Sequence, residues 1–184
     1  MLQTLFGKKK YTEDTLANVF VNSIIASVEE SFPDVAKLLK SDPEFAITPR
    51  IDENDSDRFL MTVLVGNLNF LPRYFSATEE QLLKRAIIRK FATVFGTSYD
   101  EFNGFVSEYE DFMWRINHPS KNILYGMSKT AFFKYNLAQY QDEYFREMRA
   151  PNPILLKRMD DMMRNFVWDW DAYLAKIKLQ TPQI

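Results

Sequence analysis

His118, the one histidine of the chain, sits among Arg115, Asn117, Ser120 and Lys121, immediately before a predicted helix N-terminus. Free backbone N–H groups, the positive end of a helix dipole and cationic side chains would converge there, which is the chemistry an anion site needs. Arg115, His118, Ser120 and Lys121 are therefore the candidate ligand-binding residues, with an apolar pocket between helices as the alternative lodging for a small molecule. Acid–base work would need a carboxylate or nucleophile beside His118, and none stands next to it in sequence. A loop histidine with Pro119 fixing the entry to the next helix accounts for the same residues, and that plain reading outweighs the site.

The remaining polar residues support less. The chain has no Cys, which removes disulfides and thiolate chemistry, and one His cannot build H-E-x-x-H or the paired E-x-x-H of a di-iron bundle. Acids cluster at Glu108, Glu110 and Asp111, at Asp160 and Asp161, and at Asp169 and Asp171, but only spacings of three or four share a helix face, as Glu108 and Asp111 do. Asp52-Glu53-Asn54-Asp55-Ser56-Asp57 starts like a calcium loop and then fails it, with Asp57 where Gly is needed and Val63 where Glu is needed. The five glycines fall into no nucleotide-binding or nucleophile-elbow motif. The expectation is no cofactor, no metal site and no catalysis.

Two features bear on macromolecular partners. Ala92-x-x-x-Gly96 followed by Phe102 and Phe105 resembles a helix-turn-helix over residues 92–105. Its would-be reading helix opens with Tyr99, Asp100 and Glu101, acids that phosphate would repel, so an αα-hairpin closed by a glycine is the better account. Trp168 lies about 200° around a helix from Trp170, on a face with Asp161, Arg164, Asn165 and Ala172. An indole there either lies under Arg164 as a cation–π pair or is covered by another chain. Trp168 and Arg164 are the candidate interaction residues, and a homodimer is the simplest partner.

The elements that would carry these residues are helical almost throughout. A chain of 184 residues with 46% hydrophobic and 26% charged residues and a net charge of −2 fits one globular domain without a global basic field. Thr12 begins a helix with Leu16, Phe20, Ile24 and Val28, interrupted at Ser31-Phe32-Pro33 and followed by a short helix through Leu38. Residues 41–58 read as an acidic surface loop. Residues 59–71 fit a helix ending at Pro72, although their β-branched content leaves a buried strand open. Capping boxes at Thr78-x-x-Gln81 and Ser98-x-x-Glu101 open two helices meeting at Gly96. Ser120 caps a stripe that runs toward Arg149 as one helix or two, and Pro153 starts a final helix through Ile177.

The expected fold is all-α, a single domain (1–184) of six or seven helices. Residues 1–11 form an N-terminal stub, where Leu2, Leu5 and Phe6 ahead of Lys8-Lys9-Lys10 can touch anionic lipid or pack on the domain. Neither a membrane span nor a secretory signal is expected, and the leading function is a cytoplasmic, non-catalytic interaction or scaffold module.

Overall fold

Polar side chains set most helix starts, in a computed structural model that describes residues 7–180. The chain is all-α, with six helices of 11 residues or more, two short ones and a two-stranded ribbon. Strand β1 (Lys9–Tyr11) leads into α1 (Glu13–Ser41), where Thr12 Oγ1 accepts from Thr15 N at 3.2 Å. Helix α2 (Asp57–Leu68) and a 3₁₀ turn (Leu71–Arg73) precede α3 (Ala77–Phe95). Gly96 closes α3 in the left-handed region at φ 66°, and α4 (Tyr99–Asn117) follows with Ser98 as its cap. Helix α5 (Ile123–Lys134), a 3₁₀ turn (Leu137–Tyr140), α6 (Glu143–Met148) and α7 (Pro153–Met163) come next. A 3₁₀ turn (Arg164–Phe166), α8 (Trp170–Leu174) and β2 (Ile177–Leu179) end the order. Helix α1 packs along α3, while α5 packs against α2, α4 and α7.

Several expectations need correction. Pro33 does not divide α1, because Phe32, Val35, Ala36 and Leu39 continue the buried face of Leu16–Val28 in phase. Their burial offsets the missing hydrogen bond. The α3 capping box is formed by Ser76 and Glu79, two residues before Thr78 and Gln81. Asn122, not Ser120, caps α5, its Oδ1 accepting from Tyr125 N at 3.3 Å. The 59–71 segment is helix rather than strand, as its leucine spacing suggests, but α2 stops at Leu68 before the turn to Leu71, and it is buried on nearly every side. The stripe from 120 to 149 is not one helix: it stops at Tyr135, and Asn136 turns the chain at φ 52°. The loop between α1 and α2 is not wholly at the surface, since Ile51 enters the core.

The largest correction is at the C-terminal end, where the expected final helix stops at Met163. Beyond it, β2 pairs in parallel with β1, Lys10 opposite Lys178. The contacts expected of Leu2, Leu5 and Phe6 lie outside the described residues. Among the described residues no helix is long and apolar enough to cross a membrane.

Candidate functional site

The α4–α5 junction brings together most of the predicted ligand-binding residues. Gly126 lets these helices approach closely: a Cβ there would meet Asn117 Nδ2 at 3.1 Å and Met113 Cγ at 3.2 Å. Asn117, buried at the end of α4, donates from Nδ2 to Asn122 O at 2.9 Å. Ser120 Oγ accepts from Asn122 N at 3.1 Å. These bonds fold 118–122 into a tight connection that precedes the N-terminus of α5. An open groove of about 640 Å³ borders it, lined by Asn69, Asp111, Trp114, His118, Ser120 and Lys121 among others.

The groove is not the purely cationic site that the sequence suggests. Arg115 does not line it; its guanidinium lies 5.6 Å from the centre of the Phe112 ring. Carboxylates enter instead. Glu110 is held by Lys84 Nζ at 2.6 Å, and Asp111 makes no ion pair among the described residues. His118 is exposed, its ring 5.6 Å from that of Trp114, and its side chain makes no hydrogen bond among the described residues. Among the described residues no carboxylate and no nucleophile is hydrogen-bonded to His118. Lysine, histidine and a carboxylate without an ion pair among the described residues, all lining one groove, suit a ligand bearing both charges.

Trp114 is the residue that sequence reasoning missed. It is 70% exposed, more than any other large hydrophobic side chain among the described residues. Its signal was its position, one residue or about 100° past buried Met113 and so off the inward stripe of α4.

Trp168 is placed differently from the reading that selected it. It stands after the 3₁₀ turn, not on a helix, and is half-buried against the core, its ring 5.5 Å from Phe20, 6.0 Å from Trp170 and 5.3 Å from Tyr173. Asn67 arranges this. Its buried amide donates to Phe166 O at 2.8 Å and accepts from Trp168 N at 2.7 Å, which fixes the chain where the helix ends. Arg164 lies 3.8 Å from Asp161 in an exposed pair.

Elsewhere the perturbed groups serve the scaffold. Tyr109 is pushed up to about 12, first by burial and then by the Glu108 carboxylate. Burial also raises Tyr135, whose hydroxyl donates to Asp55 O at 2.6 Å and accepts from Phe59 N at 3.2 Å, satisfying the start of α2. Burial likewise raises Asp160 and lowers Lys129. Asp52 Oδ1 accepts from Asn54 N at 2.9 Å, so this loop uses its acid to form a turn. Among the described residues no cluster of three or more His, Asp or Glu could hold a metal ion. The 92–105 segment forms a helical hairpin with Phe91, Phe95 and Phe102 stacked, and Asp100 and Glu101 face solvent at the start of α4. No family model, curated protein or solved structure matches the chain.

Proposed function

We propose that this chain is a cytoplasmic, non-catalytic interaction module that takes a segment of another protein in the α4–α5 groove. Trp114 carries the reading. An indole left in water at the edge of a groove is the residue type that anchors interfaces, because it covers much area with few rotatable bonds. Asp111, His118 and Lys121 along the groove favour a segment with charges of both signs around an apolar side chain.

A photo-crosslinking residue at position 114, compared with one at the exposed Tyr144, tests this. A discrete partner peptide joined to position 114, absent at 144 and reduced by Asp111→Lys, is the expected result. Crosslinks from 114 to a second copy of the chain would replace the foreign partner by a homodimer. No product above the Tyr144 control would remove the groove as an interaction site.

A small anionic or apolar ligand in the same groove is the second reading, favoured by His118, Ser120 and Lys121 lying together before α5. Native mass spectrometry of freshly purified protein reads it directly, as added mass that Lys121→Ala diminishes.

A further inference from the structure

The parallel pairing of β1 with β2 joins two lysine groups that lie far apart in sequence. Lys10 stands opposite Lys178, and Lys8 and Lys176 lie just before the first residues of the two strands, Lys176 O accepting from Lys9 N at 3.2 Å. Ile177 and Leu179 are buried, so Lys178 points outward with Lys10; Lys9, opposite Ile177, leaves from the other face of the ribbon and is exposed at its edge, as Lys8 and Lys176 are. Three lysines on the two short strands and two just before them are gathered at this ribbon, and none has a carboxylate within ion-pair distance among the described residues. Four acids of the surrounding elements have partners of their own, while Glu13 stays at the first turn of α1. Glu79, which borders the flanking groove with Lys8 and Lys178, accepts from Ser76 N at 3.0 Å and Ser76 Oγ at 2.7 Å. Asp14 pairs with Arg89 at 3.6 Å. Asp171 accepts from Tyr74 Oη at 3.2 Å, and Asp169 caps α8.

Like charges side by side on neighbouring strands, roughly 4.8 Å apart, repel. Lys8 alone finds a compensating contact, donating to Leu174 O at 2.8 Å at the end of α8. Packing gives no reason for the other four cations, on a chain whose net charge is −2. A polyanion outside the chain would supply the missing counter-charge.

We infer that the β1–β2 ribbon is a docking surface for an anionic lipid membrane. The side chains favour lipid over nucleic acid in three respects. Every cation is Lys, a point charge suited to a diffuse negative surface, with no Arg to read phosphate through two bonds. Each strand is about 10 Å long, too short to follow a duplex backbone over many phosphates. Tyr11 and Tyr173, whose ring centres are 6.4 Å apart, line the groove beside Lys8, Lys9 and Lys176, and such amphipathic rings suit the headgroup level.

Flotation of the full chain with vesicles of phosphatidylcholine plus phosphatidylserine, against pure phosphatidylcholine, tests the assignment. Binding to the mixed vesicles at low salt, weakening as salt rises, is expected. The double variant Lys10→Gln/Lys178→Gln should bind about 30-fold less tightly, from the usual contribution of each lysine near an anionic surface. Its melting temperature reports that it is folded; if it is not, Lys9→Gln/Lys176→Gln takes its place. Lys121→Gln, on the other groove, should bind like the parent. Failure to float with mixed vesicles, equal flotation with pure phosphatidylcholine, or unchanged binding by the folded double variant each overturns the proposal. So does tighter retention on a short DNA duplex than on the mixed vesicles.

Discussion

Trp168 and Trp114 show how differently one residue type can be used at two places in this fold. Trp168 belongs to a knot in which Phe20, Phe75, Trp168 and Trp170 face one another, with Trp170 5.6 Å from Phe20 and 5.2 Å from Phe75. Both indole N–H groups in that knot are buried without an acceptor among the described residues, so the rings add packing, and no hydrogen bond of their own, to the hold of Asn67 on the Trp168 backbone. Trp114 packs on little besides His118. Helical phase suggests the reverse for Trp168, which a continued helix would set on a face with Asp161, Arg164, Asn165 and Ala172. What separates the two is where a helix stops: α4 continues past Trp114, whereas α7 ends five residues before Trp168 and the chain turns inward.

The contrast can be broken most severely at its inner pole. Trp170→Ala empties the centre of the knot and is expected to cost about 3–5 kcal/mol, read from chemical denaturation. Trp170→Phe, which keeps a ring and removes the unpaired donor, should cost less. A smaller effect is expected at the hinge between the two behaviours. Asn67→Ala leaves Phe166 O and Trp168 N without their side-chain partner and should lose about 2–3 kcal/mol. It should also make Trp168 accessible to a fluorescence quencher while the helical circular dichroism persists; a Trp168 that stays protected would show that packing alone holds the turn. The smallest effect belongs to the outer pole. Trp114→Ala should change stability by no more than about 0.5 kcal/mol and remove the quencher-accessible part of the fluorescence. A cost near that of Trp170→Ala would mean that Trp114 is part of the core after all.

These two regions also mark how far the residues spoke for themselves. The i, i+3, i+4 stripes of α1, α3 and α4 were legible because each helix faces one core and its period repeats over several turns. Gly96 and Pro153 were legible because backbone geometry leaves few other roles for them. The 115–121 segment was recognisable as the polar end of a junction, and His118, Ser120 and Lys121 do share a groove. Arg115 was misplaced, because one step along a helix turns a side chain by about 100° and local sequence does not say which neighbour it meets.

By itself, the sequence determined an all-α chain, the main helical stripes and a lack of cysteine and paired-histidine chemistry. These follow from residue type and short spacings, which local backbone geometry enforces. Tertiary structure alone decided that Pro33 lies inside a helix, because the burial of Phe32, Val35, Ala36 and Leu39 outweighs a lost hydrogen bond. It turned Trp168 inward through an amide 101 residues away in the chain. It also set Lys10 beside Lys178. Each is a contact between distant segments, whose energy depends on which surfaces meet once the helices have packed, and no window of neighbouring residues contains that information.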